Sequence, residues 1–217
     1  RVHSSFNQTM TATGRLSTSS PNFQNIPIRT EDGKEVRKAI KAQSDDYQIL
    51  SADYSQIELR VMAHLSKDEA LTKALNDGED IHTFTAKNVF NVKEDQDVLP
   101  EMRRIAKIVN FGIMYGAGSF RLSQELGIPF AESKKIIDVY FHKYKGIKQY
   151  MEDTKLLVKK DKSVQTLLGR KRAVWDSDSQ NQVRRDAAER MAINMPIQGT
   201  AAEMIKLAMI RIDKDLK

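Results

Sequence analysis

The sequence predicts an α+β fold, for three reasons. Apolar residues recur at helical spacing in several segments, which is typical of amphipathic helices. The short apolar run "YQILSA" at 47–52 indicates a buried strand. The stretch "VQTLLGRKRAVW" at 164–175 indicates two strands joined by a turn that contains Gly169. We therefore expect mostly helices, together with a strand near residue 50 and a hairpin near residue 169.

Loops and short extended pieces are predicted for the first 35 residues. This segment is rich in Ser, Thr, Asn, Gln, Gly and Pro and shows little periodicity. This segment could be a surface connector. However, Arg15, Asn22, Gln24 and Asn25 are hydrogen-bonding side chains among small residues, a composition that suits contact with a polar partner.

Helices account for most of the remaining chain. A helix is predicted from Ser55, because Ile57, Val61 and Leu65 recur every four residues after the predicted strand. Proline is favoured in the first turn of a helix, so Pro100 is expected to open another one. The further predicted helices cover 81–90, 100 to about 115 (ended by Gly112, Gly116 and Gly118), 131–144, 147–161 and about 181–216, the last with a kink at Pro196 and Gly199.

Composition excludes several classes of protein. Hydrophobic residues make up 40% and charged residues 29% of the 217 positions, which indicates a folded rather than a disordered chain. Cysteine is absent, so disulfides and thiolate metal sites are excluded. No apolar run approaches the ~20 residues that cross a bilayer, so we expect no membrane partner. The net charge of +6 permits a polyanionic partner without requiring one.

A stripe of two cations and two aromatics is predicted on the helix that begins at Pro100. Arg103, Lys107, Phe111 and Tyr115 are spaced by four and therefore share one face. Cations attract phosphates, and aromatic rings offer a stacking surface for a base or a wall for a sugar. This order matches a nucleoside triphosphate. The alternative is an ordinary amphipathic helix with a solvated basic edge.

Five separated segments together resemble the family A DNA polymerases in identity, order and approximate spacing. The segments are "TGRLSTSSPNFQNIPIR" (13–29), "DYSQIELR" (53–60), "DIHTFTA" (80–86), "RRIAKIVNFGIMYG" (103–116) and "RRDAAERMAINMPIQGTAAEMIK" (184–206). The resemblance implies a polymerase hand, in which helical fingers are inserted in a palm built on an antiparallel sheet. Residues 1–60 would form the first part of the palm, 61–183 the fingers, and 184–217 a second part of the palm.

The resemblance also implies a metal site with two Mg²⁺ ions. Asp53 would ligate both ions, and the backbone carbonyl of Tyr54 would be the neighbouring ligand. Carboxylate and carbonyl oxygens suit Mg²⁺, and two ions stabilise both the attacking and the leaving oxygen of an in-line displacement. A plainer alternative makes Asp53 a helix N-cap.

The incoming deoxynucleoside triphosphate would be bound by residues of the second and third quoted segments and of the helix stripe, which lies in the fourth. The resemblance implies that Arg103, Lys107 and His82 hold the triphosphate and that Lys107 protonates the pyrophosphate. Phe111 would pack on the sugar, and Tyr115 would shape the position of the templating base. Glu58, held near Tyr115, would exclude a ribose 2′-hydroxyl, and Gln56 is a further nucleotide-binding candidate. A solvated acid in the first helix turn is the alternative for Glu58.

Primer–template DNA would be the second partner. Arg190, Asn194 and Gln198 are spaced by four on the last predicted helix. Forked hydrogen-bonding groups can probe the minor-groove acceptors that every base pair presents. The resemblance places these residues, with Arg15, against the primer terminus, and Asn25 is a further DNA-binding candidate. For each residue alone, a polar helix face is an adequate alternative.

One departure from the family concerns its third catalytic motif, a His-Asp-Glu sequence that carries a second metal-ligating carboxylate. None of the four histidines, His3, His64, His82 and His142, is followed by Asp-Glu. Asp213 and Asp215 come too early in the chain to replace this motif. We therefore expect a fragment truncated before the third motif, without the thumb and inactive by itself. Its longer parent is expected to be monomeric, cytoplasmic in a bacterium and associated with the nucleoid.

Two other functions remain compatible with the architecture. A non-catalytic DNA-binding module would have lost Asp53 or the cationic stripe, and both are present. A single-subunit RNA polymerase shares the hand-shaped fold, but Glu58 argues against it because a gate at this position excludes ribose.

Overall fold

The computed structural model describes residues 2–28, 30–93 and 96–216, which divide into two units. The first unit comprises Arg1–Gln56 and Ala202–Lys217, and the second comprises Ile57–Ala201. The palm and fingers boundaries at 60/61 and 183/184 stay predictions.

The first unit contains one small hairpin and one short helix ahead of Gln56. Strand β1 (Ser5–Asn7) pairs antiparallel with β2 (Ser17–Ser19), and a 3₁₀ helix covers Phe23–Asn25. Helix α1 (Glu31–Lys38) begins after Thr30, whose hydroxyl accepts a hydrogen bond from the Gly33 amide at 3.2 Å. The expectation of short extended pieces within 1–35 is confirmed, whereas α1 was not predicted.

The predicted strand at 47–52 is wrong. Residues 47–54 have no regular secondary structure, and Ile49 and Leu50 are 57% and 73% exposed. A strand exists only when its backbone groups pair with a neighbour. In the part of the chain that the structure describes, the two hairpins pair only within themselves, and no strand pairs with 47–52. The sheets of the described residues are two small antiparallel hairpins, and a palm built on an antiparallel sheet stays a prediction.

The second unit is mainly helical. In chain order its elements are α2 (Ile57–Ser66), α3 (Glu69–Asn76), α4 (Ile81–Val89), α5 (Pro100–Met114), α6 (Ser119–Leu126), α7 (Phe130–Lys143), α8 (Lys145–Asp161), β3 (Ser163–Gln165), β4 (Lys171–Ala173) and α9 (Gln182–Asp215), which continues into the first unit after Ala201. The helices predicted at 81–90, 100–115, 131–144, 147–161 and 181–216 are confirmed. Pro196 lies inside α9, where it removes one backbone donor.

A large apolar core packs the helices of the second unit against one another. Leu59 and Met62 of α2, Ile113 of α5 and Tyr140 of α7 are almost completely buried in this core. Burying a side chain of this size contributes roughly 1.5–3 kcal/mol. The buried face of α5 is what fixes the direction of its opposite, polar face.

Asp68 connects two helix starts inside this core and is only 2% exposed. Its Oδ1 accepts from the Leu71 amide at 2.9 Å and so caps α3. Its Oδ2 accepts from the amides of Gly146 and Ile147 at 2.8 and 3.3 Å, in the first turn of α8. One carboxylate therefore satisfies backbone donors that two helices would otherwise leave unpaired.

The predicted hairpin at 164–175 is confirmed. Strands β3 and β4 pair antiparallel, with Val164 opposite Arg172, and Gly169 takes φ +89° in the turn. Val164 belongs to a second, smaller apolar cluster with Val158 of α8 and Ala192 of α9. Within the described residues, none of the helices is long and apolar enough to cross a membrane.

Candidate nucleotide and nucleic-acid site

The stripe expected on α5 lies on the side of the helix away from the core. Arg103 and Lys107 are exposed, and Phe111 and Tyr115 are half-buried. The buried positions of α5 are Ala106, Val109, Asn110, Ile113 and Met114. Two cations followed by two aromatic rings are thus presented in line along one helix face.

Asp80 positions the first of these cations. It is the N-cap of α4 and accepts from the His82 amide at 3.2 Å and from the Thr83 hydroxyl at 2.7 Å. Its Oδ2 also accepts from Arg103 Nε at 2.5 Å. This bond leaves the two terminal nitrogens of the guanidinium as donors for a ligand.

The charges of this pair are mutually stabilised. Burial by itself raises the pKa of Asp80, but the hydrogen bonds from Arg103, Thr83 and the His82 amide outweigh it, so the pKa lies below its ordinary value. The hydrogen bond to Asp80 in turn raises the pKa of Arg103. Both side chains are more than one third exposed. The pair therefore contributes only about 0.2–1 kcal/mol to the free energy of unfolding.

His82 lies beside the stripe and is only 5% exposed. Its ring centroid is 5.7 Å from that of Phe111. Burial lowers the pKa of His82; Arg103 and Lys107 lower it further, and Asp80 opposes them. The imidazole is therefore held in its neutral form at neutral pH.

A buried chain of hydrogen bonds ends at the His82 ring. Asn110 Nδ2 lies 3.1 Å from His82 Nδ1, and Asn110 Oδ1 accepts from the Thr85 hydroxyl at 3.1 Å. Thr85 Oγ1 lies 2.8 Å from the Tyr144 hydroxyl. Asn110, Thr85 and Tyr144 are each at most 1% exposed. These hydrogen bonds link α4, α5 and Tyr144, the residue between α7 and α8.

The second aromatic residue of the stripe contacts the acid in the first turn of α2. The Tyr115 hydroxyl donates a hydrogen bond to Glu58 Oε2, and Glu58 is 8% exposed. The Phe111 and Tyr115 ring centroids are 6.1 Å apart. Glu58 is thus a buried acid beside the aromatic end of the stripe, and not the solvated acid that its position in a first turn also allowed.

The polar stripe on α9 is half-buried at all three positions, Arg190, Asn194 and Gln198. Arg190 packs against the end of α5. An added Cβ at Gly116, which has φ +74°, would lie 2.8 Å from Arg190 Cγ. Gly116 and Arg190 also line a cavity of about 300 Å³, with Glu152, Lys155 and other residues of α6 to α9.

The remaining predicted site residues lie in the first unit. Asp53 and Tyr54 are exposed and line a cavity of about 400 Å³, together with Ile205, Ala208, Met209 and Ile212 of α9. Gln56 is half-buried and takes φ +55°. Arg15 and Asn25 are exposed, and Asn25 ends the 3₁₀ helix.

The predicted site residues are therefore divided between the two units. His82, Arg103, Lys107, Phe111, Tyr115 and Glu58 lie together in the second unit. Across 2–28, 30–93 and 96–216, no group of three or more His, Asp or Glu side chains is arranged to hold a metal ion. Asp53 and the Tyr54 carbonyl alone do not complete the expected two-ion site.

Sequence reasoning missed Asp80, Asn110, Thr85 and Tyr144. An Asp directly before a predicted helix is a signal for an N-cap, and this signal could have identified Asp80. The pairing of Asp80 with Arg103, and of Asn110 with His82, depends on the packing of α4 on α5 and has no local signal.

A mainly helical unit with two cations and two aromatic rings in a row on α5, and with a polar face on α9, is typical of proteins that bind nucleotides and nucleic acids. Comparison with known proteins narrows this class. A family model described as DNA polymerase family A matches residues 1–217, so the chain belongs to the family A DNA polymerases. The resemblance stated from five sequence segments is confirmed.

Individual relatives agree with this family. The chain is 50% identical over 216 residues to DNA polymerase I of Streptococcus pneumoniae serotype 4, covering 100% of this chain and 25% of the relative. It is 50% identical over 217 residues to the thermostable DNA polymerase I of Thermus filiformis, covering 100% of this chain and 26% of that relative. The chain thus spans about a quarter of the length of these curated relatives.

A solved structure shares the fold. It is the POL domain of Pol1 from M. smegmatis in complex with a DNA primer-template and dNTP. The TM-score is 0.93 at 47% identity, covering 100% of this chain and 38% of that one. The mostly helical architecture with small antiparallel sheets is therefore that of a polymerase domain fragment.

Proposed function

We propose that this chain is the nucleotide-selecting and primer-reading part of a DNA-directed DNA polymerase. The reaction adds a deoxyribonucleotide to a primer 3′ end by nucleotidyl transfer and releases pyrophosphate. The row of two exposed cations, Arg103 and Lys107, and two half-buried rings, Phe111 and Tyr115, flanked by His82 and Glu58, carries the proposal. The solved relative is titled as a complex with a primer-template and dNTP, which supports the same two partners here.

The cationic end of the row would bind the triphosphate. Arg103 is fixed at Nε by Asp80, so its two terminal nitrogens can make paired hydrogen bonds to phosphate oxygens. Lys107 lies four residues further, about 6 Å along the helix axis, and adds a second positive charge. When the bond to pyrophosphate breaks, Lys107 Nζ would give a proton to the leaving oxygen.

The aromatic end would select the sugar and align the base pair. Phe111 offers its ring to the sugar, and Tyr115 borders the position of the templating base. The buried Glu58 carboxylate, hydrogen bonded to Tyr115, would occupy the volume that a ribose 2′-hydroxyl needs. Adding a hydroxyl against a fixed buried carboxylate is both a steric and a desolvation cost, so deoxyribose is preferred.

Two Mg²⁺ ions would supply charge stabilisation at the attacking and leaving oxygens. Asp53 and the Tyr54 carbonyl have oxygen donors of the right kind. The described residues nevertheless provide no cluster of three possible ligands, so they form only part of such a site. The role that we propose for Asp53 and Tyr54 is therefore limited to holding an ion.

The polar face of α9 would read the newly formed base pair. Arg190, Asn194 and Gln198, with Arg15 and Asn25 of the first unit, are the candidates for contacts with the primer and template. Asn194 Oδ1 is buried and has no hydrogen-bond partner within the described part of the chain. A DNA base edge or a sugar would satisfy this oxygen.

The setting that we propose is the bacterial cytoplasm, in association with the nucleoid, and as part of a monomeric enzyme. It is supported by the relatives, which are DNA polymerase I enzymes of bacteria such as S. pneumoniae and Deinococcus radiodurans.

A chimaeric enzyme tests the proposal. The chain replaces the matching quarter of S. pneumoniae DNA polymerase I, and primer extension is measured with each of the four dNTPs and with ribonucleotides. We expect extension with dNTPs, its abolition by Asp53→Asn, and retained DNA binding in that variant because phosphate contacts dominate DNA affinity. The matched control is Asp46→Asn, an exposed acid in the same unit.

Each rival has a distinct outcome. Equal use of ribonucleotides would favour an RNA polymerase, and DNA binding without extension by a folded chimaera would favour a non-catalytic module. Undiminished extension by Asp53→Asn would remove Asp53 from the site.

A further inference from the structure

We propose that Asn110 is a positioning residue that holds the His82 imidazole in the tautomer with its proton on Nε2, so that this nitrogen donates a hydrogen bond to a triphosphate oxygen. This inference rests on the proposed function of the site and adds to it a residue that contacts no substrate. The direction of the buried hydrogen bonds that end at His82 supports it.

The direction of these hydrogen bonds is set at Tyr144, where the row of hydrogen bonds begins. Burial raises the pKa of the Tyr144 phenol, so the hydroxyl keeps its proton and needs an acceptor. Among the described residues, the partner recorded for this hydroxyl is Thr85 Oγ1 at 2.8 Å. If Thr85 donated to Tyr144 instead, the phenolic proton would be buried without an acceptor. Tyr144 therefore donates to Thr85.

The next two bonds follow from the number of protons available. Thr85 has a single hydroxyl proton, and it donates this proton to Asn110 Oδ1 at 3.1 Å. An amide whose oxygen faces Thr85 must turn its NH₂ group to the other side, where His82 Nδ1 lies 3.1 Å from Asn110 Nδ2. An NH₂ group can only donate, so Nδ1 must be the unprotonated nitrogen. A neutral ring then has its proton on Nε2.

This tautomer is the one that an anionic ligand requires. His82 is buried against Phe111, and its surroundings favour the neutral ring, which has only one N–H group. With the proton on Nε2, the free side of the ring is a donor, whereas the other tautomer would present a lone pair to the phosphate. The charged groups that act on the ring are Asp80 from α4 and Arg103 and Lys107 from α5. Arg103 and Lys107 are the proposed phosphate ligands themselves.

The ring nitrogens can be observed directly by NMR of the 217-residue chain labelled with ¹⁵N-histidine. The chain contains four histidines, and His82→Gln assigns the resonances of His82. At about pH 8, above the ordinary pKa of histidine, we expect Nδ1 at the position of an unprotonated nitrogen and Nε2 at that of a protonated one. A protonated Nδ1 in the unmodified chain would overturn the inference without any variant.

Two substitutions test whether Asn110 is the cause. Asn110→Asp preserves shape but replaces the donor by a carboxylate that only accepts, so the His82 proton should move to Nδ1. Thr85→Val removes the group that orients the amide, and we expect both tautomers to appear. Ser133→Ala, a buried hydroxyl on α7 that bonds to the carbonyls of Ser119 and Phe130, is the control for general destabilisation and should leave the tautomer unchanged. A His82 ring whose Nδ1 stays unprotonated in a folded Asn110→Asp chain contradicts the inference.

A titration with a dNTP and Mg²⁺ connects the tautomer to the ligand. We expect the nucleotide to shift the Nε2 resonance of the unmodified chain and to bind Asn110→Asp about tenfold more weakly, the size of one hydrogen bond to a charged group. Equal affinities would overturn the positioning role. If the Nε2–H tautomer is intact but no variant binds the nucleotide, the proposed function itself fails. The positioning role then fails too, because its ligand is absent.

Discussion

At the residue scale, the buried imidazole of His82 should make the stability of the second unit depend on pH. Its folded-state pKa is lowered, so as the pH falls the unfolded chain takes up this proton first. The contribution of His82 is fully present above the unfolded value of about 6.5 and is lost as the pH falls through the folded value. We expect His82→Gln to flatten this part of the stability profile, measured as the urea midpoint from about pH 8 to about pH 5.

The control for this profile is His142→Gln, because His142 is exposed on α7. Asp80 acts in a different window, since its depressed pKa gives stability that is lost only below about pH 4. A profile that keeps its full slope in His82→Gln would show that another group titrates there.

The Glu58–Tyr115 contact leads to a prediction on sugar selection. In the chimaera, Glu58→Ala should lower the preference for deoxy- over ribonucleotides by about 10- to 100-fold, the range that one steric element of a pocket provides. Tyr115→Phe keeps the ring but removes the hydroxyl that donates to Glu58, so it should cause a smaller loss. The measurement is kcat/KM for matched nucleotide pairs, with Glu125→Ala on the exposed side of α6 as control. Unchanged selectivity in both variants would exclude a gate at Glu58.

Spacing in the sequence predicted which residues of α5 share a face, because helix geometry alone fixes that relation. The orienting partners of those residues could not be predicted in the same way. Asp80 and Arg103 are 23 positions apart, and His82 and Asn110 are 28 apart. These pairs form only because α4 packs on α5. The angle and register of that packing cannot be predicted from the sequence of either helix.

At the element scale, Gly116 controls how closely the end of α5 approaches α9. Its φ of +74° disfavours any side chain, and a Cβ would lie 2.8 Å from Arg190 Cγ and 3.3 Å from Arg190 Cα. Gly78 is a matched control, because it has the same φ of +74° but no atom within 4 Å of the added Cβ. Gly78→Ala should cost about 1–2 kcal/mol from the backbone alone.

Gly116→Ala should cost about 1–3 kcal/mol more than Gly78→Ala, because the backbone atom of Arg190 must also move. The free energies of unfolding of both variants, measured in urea, give the difference. If the two substitutions cost the same, α9 yields freely at this point and the contact does not restrain Arg190.

Element prediction from sequence succeeded where a signal was local. The turn at Gly169 and the proline at the start of α5 are such signals, and both elements are observed. The strand at 47–52 failed because strand formation depends on a partner elsewhere in the chain. Helices α3 and α6 have eight residues each, too few for a persistent apolar period, and they are defined by the Asp68 cap and by Gly127 with φ +67°.

At the scale of the whole molecule, the chain contains the nucleotide face of the proposed enzyme and only part of its metal site. The family could be identified from the sequence because five segments agree in order and spacing, a relation that does not depend on knowing any packing angle. The division into two units at Gln56 and Ala201 differs in position from the boundaries taken from the resemblance. The residue-level fold of the first unit depends on strand pairing, which is where sequence patterns say least.

The last prediction is that the 217-residue chain alone binds DNA but does not extend a primer. The net charge of +6 should give weak binding through phosphate contacts, and log affinity should fall linearly with log salt concentration. In the mechanism that we propose, extension requires two divalent ions held close together, and their mutual repulsion must be offset by nearby negative charge. Within the part of the chain that the structure describes, Asp53 belongs to no group of three or more His, Asp or Glu side chains that could hold a metal ion. Primer extension with Mg²⁺ and four dNTPs should therefore remain at the level of the Asp53→Asn variant, which controls for contaminating polymerase. Extension that disappears in Asp53→Asn would mean that this chain completes the metal site by itself, and Asp213 and Asp215 of α9 would be the first residues to substitute.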